Sequence, residues 1–204
     1  MINFYDLYWK INPDQLGDFP YKWPVISKVI PTNKKMRILD YGCGTGHIFK
    51  KIQEMNPEST LIGADISPLA VKSISKRFKK NKFHVVFDGK KLPIKTSSID
   101  FIAAFDVIEH TVDTDLLLKE FHRVLSPKGR ILISTPYHGV IKNILISLIG
   151  FETVFDPFGV HIRFFTKQSL QEALKKRGFA LLSNGFYGRF APLWRGMYVL
   201  AEKL

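Results

Sequence analysis

One cysteine, Cys43, stands in the 204 residues, which excludes an internal disulfide framework and any zinc site built from several cysteines. Acidic residues are scarce as well: 18 Asp and Glu face 30 Lys and Arg, a net charge of +12 that draws the chain toward nucleic acid, anionic lipid or acidic metabolites. Long apolar runs are absent. The longest apolar-rich stretch, 140–151, is interrupted by Lys142 and Asn143 and falls short of the roughly 20 residues that span a bilayer. The N-terminus has neither a basic flank nor an apolar core, so it does not read as a signal peptide. Together these features predict a soluble, cytoplasmic chain, with a peripheral association at a membrane surface left open. No repeat or low-complexity tract interrupts it.

What is present is 46% hydrophobic residues, enough for a sizeable core, in a length that suits a single domain over 1–204. Strand-like and helix-like patterns alternate, which predicts an α/β fold with a parallel sheet and helices on both faces. Strands are expected at 37–41, 61–65, 83–87, 99–105 and 130–134. Helices are expected at 47–55, at 68–80 behind the cap Ser67-Pro68, at 113–124, and from Thr166 to about Arg177. A turn is expected at Pro127-Lys128-Gly129. Two final strands, 180–183 and 197–201, are separated by only 13 residues, so an antiparallel hairpin is expected there. The aromatic-rich residues 1–35 suit an N-terminal cap, and 137–165 an insertion on the acceptor side. Nine basic side chains between Lys72 and Lys95 suit a solvated surface, or else a nucleic-acid or headgroup contact.

The strongest local signal is Ile38-Leu39-Asp40-Tyr41-Gly42-Cys43-Gly44-Thr45-Gly46, a strand that runs through alternating glycines into a helix. Such glycines allow a sharp turn and close approach of a ligand. His47 stands where the dinucleotide fingerprint needs its last glycine, which counts against a nicotinamide or flavin enzyme. Asp65 lies 19 residues after Gly46, at the end of the next strand, where a carboxylate can accept both hydroxyl protons of a ribose. Asp88 follows the third strand, where it can accept a hydrogen bond from an exocyclic adenine amine. Three acids on successive strand ends make a nucleoside pocket. Cys43, between two of the glycines, suits a small apolar filler better than a nucleophile.

These residues resemble the class I S-adenosylmethionine-dependent methyltransferases, in the type-11 group that includes the quinone-biosynthesis O-methyltransferases. The resemblance implies a Rossmann-like, seven-stranded, mostly parallel sheet with an antiparallel last strand. It implies S-adenosyl-L-methionine as cofactor and S-adenosyl-L-homocysteine as product. Asp40, Gly42 and Gly44 would border the methionine portion, with Gly46 closing the loop; Asp65 would hold the ribose, Asp88 with Gly89 the adenine, and Phe105 would sit near the reacting methyl.

At the acceptor end stands Asp106-Val107-Ile108-Glu109-His110; if helical, it puts Asp106, Glu109 and His110 on one side, and His161 follows 51 residues after His110. Methyl transfer needs alignment and exclusion of water, and a base only for a hydroxyl or protonated amine. One expectation makes His110 or His161 that base, oriented by Glu109 or Asp106. The other resembles the small-RNA 3'-terminal 2'-O-methyltransferases, where a comparable set holds a divalent metal, although here Asp106 replaces a glutamate. The expected acceptor is an apolar or anionic small molecule or lipid precursor, with RNA as the alternative and a non-catalytic, cofactor-binding regulator as a third. Residues 140–149, apolar on nearly every side, suit a buried helix, a pocket wall or a membrane-facing surface.

Overall fold

The computed structural model describes residues 4–11, 17–32, 35–157 and 159–204. After α1 (Phe4–Ile11) and α2 (Phe19–Ile26) come β1 (Arg37–Tyr41), α3 (His47–Met55), β2 (Thr60–Asp65), α4 (Pro68–Arg77), β3 (Lys82–Val85), β4 (Ile99–Phe105), α5 (Thr114–Val124) and β5 (Leu125–Pro136). Then follow α6 (Val140–Ile149), α7 (Phe151–Val154), α8 (Lys167–Lys176), β6 (Phe179–Tyr187) and β7 (Gly196–Lys203). The strands form one seven-stranded sheet in the order β3-β2-β1-β4-β5-β7-β6. The first five pair in parallel, and β7 runs antiparallel to both of its neighbours. This is the expected Rossmann-like sheet with its antiparallel last strand.

Alternation along the central strands divides the core in two. Leu39, Ile102, Ala104, Ile131 and Ile133 pack on one face with Leu117, Leu118 and Phe121 of α5 and Leu170 and Leu174 of α8. Ile38, Phe101, Ala103 and Leu132 pack on the other with Ile26 of α2, Phe49 and Ile52 of α3 and Ile74 of α4. Helices thus cover both faces. Local capping matches the sequence: the Ser67 hydroxyl accepts from Ala70 N–H, Asp113 from Leu116 N–H, and Thr166 with Ser169 forms a reciprocal capping box.

Several boundaries differ from expectation for identifiable reasons. The helix α4 stops at Arg77, because Phe78 turns its ring against Phe49, 5.1 Å away, and the polar residues after it have no core to face. The strand β3 ends at Val85 rather than Phe87: Val86 N–H still bonds to the Asp65 carbonyl at 2.9 Å, but β2 ends there and Phe87 is exposed. The turn expected at Pro127-Lys128-Gly129 lies within β5 as an irregularity, with Lys128 at φ +60 and the register shifted between Ile99 and Phe101. The last two strands extend into the expected aromatic loop, shortening it to 188–195. Among the described residues, no helix is long and apolar enough to cross a membrane. All nine basic side chains between Lys72 and Lys95 are solvent-exposed.

Candidate functional site

The chain leaves β1 toward β2 on one side, while β4 pairs on the other, so a crevice opens at the carboxyl ends of β1 and β4. A cavity of about 510 Å³ occupies it, within the range of small-molecule sites. Gly42, Cys43 and Thr45 of the glycine loop, Asp65, Asp88, Phe105, Asp106, His110 and His161 line it, and α1 with Asp18 and Lys22 closes its outer side.

The loop's shape is written in its glycines. Gly46 caps α3 from a left-handed conformation, φ +97, and a Cβ there would come within 2.7 Å of Ile74. At Gly44, φ +50, a Cβ would run into the indole of Trp9, which α1 lays over the loop. Asp65 braces the same loop, accepting from Gly44 N–H at 2.8 Å through one oxygen and from Ser67 N–H at 2.9 Å through the other. Burial raises its pKa, and these backbone donors oppose the rise. With Ile66 N–H as a third backbone donor, the carboxylate still has acceptor capacity left for a ligand hydroxyl. Asp88, as expected on the loop after β3, also accepts from Val112 N–H and so ties that loop to the chain beyond β4.

Asp40 lies behind the loop, fully desolvated, with one carboxylate oxygen lacking any hydrogen-bond partner among the described residues. Burial, and then the nearby Asp65, push its pKa up to about 8. An orphaned acid of this kind fits a ligand that carries positive charge, and Gly42, Cys43 and Thr45 present the loop to the cavity. The donor set therefore suits S-adenosylmethionine, which combines a ribose with cationic groups. Cys43 is buried, and burial with the adjacent acids raises its thiol well above the usual range, which suits packing rather than attack.

The acceptor end departs from the helical expectation. Only Ile108–His110 is helical, as a single 3-10 turn, so Asp106 does not share a face with Glu109 and His110. Asp106 sits at φ +53 and accepts from the Lys22 ammonium, from the Ser134 hydroxyl at 3.0 Å and from the Tyr187 hydroxyl at 3.3 Å. Lys22, 2% exposed, also pairs with Asp18 at 2.9 Å. Sequence reasoning passed over Lys22; its one visible sign is a lone lysine in the apolar helix Phe19–Ile26, four residues after Asp18.

His110 and His161 do meet, their ring centroids 4.8 Å apart. His110 Nδ1 lies 2.9 Å from the Val160 carbonyl, which only accepts, so Nδ1 carries the proton and Nε2 keeps its lone pair. Burial lowers the His110 pKa to about 4, leaving the ring neutral at physiological pH. The segment bearing His161 is stitched down by Ile162 and Arg163 N–H, both 3.0 Å from the Glu109 carbonyl, and by the Arg163 guanidinium on the Thr111 carbonyl at 2.7 Å.

The Glu109 side chain is buried, and burial raises its pKa to about 7 against the opposing effects of Thr135 and Lys22. One donor atom each from Glu109, His110 and His161 lies within 4.8 Å of the others, a carboxylate and two imidazoles that can take a divalent cation. Asp106, engaged by Lys22, is not in that group. Asp40, Gly44, Gly46, Gly89 and Glu109 do not line the cavity; they shape or back its wall.

A family model described as a methyltransferase domain matches residues 21–184. The chain is 25% identical over 155 residues to the ubiquinone biosynthesis O-methyltransferase of Azorhizobium caulinodans, covering 72% of this chain and 60% of that one. It is 31% identical over 144 residues to a probable S-adenosylmethionine-dependent methyltransferase of Mycolicibacterium smegmatis, covering 70% of this chain and 51% of the other. A SAM-dependent methyltransferase structure from Aquifex aeolicus superposes with a TM-score of 0.74 at 15% identity, covering 99% of this chain and 100% of that one. The chain spans about three-fifths of the length of the curated relatives it matches.

Proposed function

The chain belongs to the methyltransferase-domain family, whose methyl donor is S-adenosylmethionine, and from that premise we propose that it methylates a hydroxyl of an apolar or anionic small molecule or lipid precursor. The observation that carries the choice of a hydroxyl is His110. Its Nδ1 is committed to the Val160 carbonyl, which leaves a neutral ring with an open Nε2 at the cavity.

When bound, the cofactor supplies a methyl group on a sulfonium, an electrophile with a neutral leaving group. The residues of the chain supply the rest. Asp65 would hold the ribose and Asp88 the adenine, with Gly89 behind it, and Gly42 would border the methionine portion, with Asp40 and Gly44 backing that wall. Phe105 excludes water from the reacting end, and His110 Nε2 takes the hydroxyl proton as the acceptor oxygen becomes nucleophilic. The Val160 carbonyl orients that ring and favours the imidazolium it becomes, while His161, beside it, keeps the resting ring neutral.

A second reading rests on the convergence of Glu109, His110 and His161 within 4.8 Å: a divalent ion held there would grip the terminal hydroxyls of an RNA, whose phosphates the +12 charge attracts. One experiment separates the readings. Purified protein is incubated with methyl-labelled S-adenosylmethionine and a whole-cell extract, which is then partitioned. Label in the organic or small-molecule fraction supports the first reading, and label in RNA replaces it with the second. Cofactor binding without label in any fraction would make the chain a non-catalytic regulator.

A further inference from the structure

The helix α6 is turned inside out. Lys142 and Asn143 face the protein, whereas Ser147 is exposed: Lys142 Nζ donates to the Tyr137 carbonyl at 2.6 Å and to the Arg195 carbonyl at 3.4 Å, and the Asn143 side chain pairs with His138 at 3.1 Å. Apart from Ile146, its apolar residues face outward. None of its ten residues is buried, and Val140, Ile141, Ile144, Leu145 and Leu148 form one exposed stripe, with Leu148 75% and Ile149 86% exposed. A surface helix ordinarily shows the reverse arrangement, and a contiguous apolar face of this kind marks an interaction surface. The expectation of a buried helix or pocket wall fails here for a simple reason: the polar anchors lie on the inner side and pull the apolar stripe out.

The charges near that stripe indicate what covers it. The β6–β7 connection meets the helix where Lys142 reaches the Arg195 carbonyl, and it carries Arg189, at φ +61, and Phe190, 70% exposed. Arg189 and Arg195 both act on the Lys142 ammonium, which burial and these two guanidiniums lower to about 8. Among the described residues none of the three cations forms an ion pair; Arg195 lies over the Tyr21 ring at 5.1 Å. The next acids along the chain, Glu152 and Asp156, come only after the break at Gly150. Apolar side chains projecting beside uncompensated arginines match a lipid interface, with hydrocarbon below and anionic headgroups at its rim. A second copy fits worse, because it would oppose like arginines on two chains of net charge +12.

We propose that α6, with Phe190, docks this chain on an anionic lipid bilayer, the stripe entering the acyl boundary while Arg189 and Arg195 meet the headgroups. The helix springs from the carboxyl end of β5, the sheet edge from which Phe105 and Asp106 reach the cavity. Docking therefore brings the cavity toward the bilayer. Delivery of an apolar acceptor from the membrane rests on the function proposed above, whereas the docking does not.

Flotation with phosphatidylcholine vesicles, with and without phosphatidylglycerol, tests it in the absence of cofactor and acceptor, so failure leaves the methyl-transfer reading intact. The wild type should float with the anionic vesicles far more than with the neutral ones. Ile144→Glu with Leu148→Glu should lower partitioning at least about tenfold, and Arg189→Ala about fivefold. Both variants should bind S-adenosylhomocysteine normally, since these side chains lie outside the cavity. Three results would each overturn the proposal: no association of the wild type with anionic vesicles, partitioning unchanged in the double variant, or a wild-type dimer that the double variant converts to monomer.

Discussion

Asp40 makes the sharpest prediction about the ligand-free protein. In the unfolded chain its carboxyl ionises at about 3.8; in the fold, burial and the neighbouring Asp65 carry it up to about 8. Between these values the unfolded state has lost the proton and the native state keeps it, so raising the pH favours unfolding. Stability from this group is fully present below about pH 4 and falls until about pH 8, where the loss levels off. From pH 6 to pH 9 the loss is about 3 kcal/mol. Asp40→Asn keeps the shape, removes the proton and should be free of this slope. Urea unfolding of both proteins, followed by tryptophan fluorescence at several pH values, should show the variant gaining about 3 kcal/mol on the wild type over that range. Parallel profiles would mean that Asp40 is ionised in the fold, and the account of an acid awaiting a cationic ligand would then be wrong.

Four further outcomes are expected. Asp65→Ala should weaken S-adenosylhomocysteine about tenfold to a hundredfold in calorimetry, the worth of hydrogen bonds to a charged group, and unchanged affinity would refute the ribose site. Lys22→Met strips Asp106 and Asp18 of their buried cation and should destabilise the chain by about 3 kcal/mol in thermal or urea unfolding. His110→Ala should reduce kcat by about two to four orders of magnitude while leaving cofactor affinity in place, and full activity would leave the residue structural. Dialysis against a chelator should spare turnover if His110 acts as a base, and abolish it if Glu109, His110 and His161 hold an ion.

Much of the sheet and the cofactor end could be read from sequence because their determinants are local. The glycine loop, the Ser67 cap and the alternation within β1 and β4 each act over a few residues. The acceptor end was less legible. Whether 106–110 coils into a helix is decided by Lys22 and Ser134, 84 and 28 residues away, which hold Asp106 at positive φ. The orientation of α6 was equally hidden: its pattern shows where the apolar residues are, but Tyr137, His138 and Arg195 decide which side faces inward.

The contact between Lys22 and Asp106 also sets a schedule for synthesis. A ribosome adding about 5 to 20 residues per second needs about 4 to 17 seconds to pass from one to the other, a separation of 84 residues. Through that interval α2 has been made but lacks β4, and the aromatic cap has no cavity to close. Phe19 and Trp23, which pack against the core in the finished fold, have no core to join until it forms. The acceptor end is thus completed from the earliest and the later parts of the chain together, and this interval is when the nascent protein most needs shelter from aggregation.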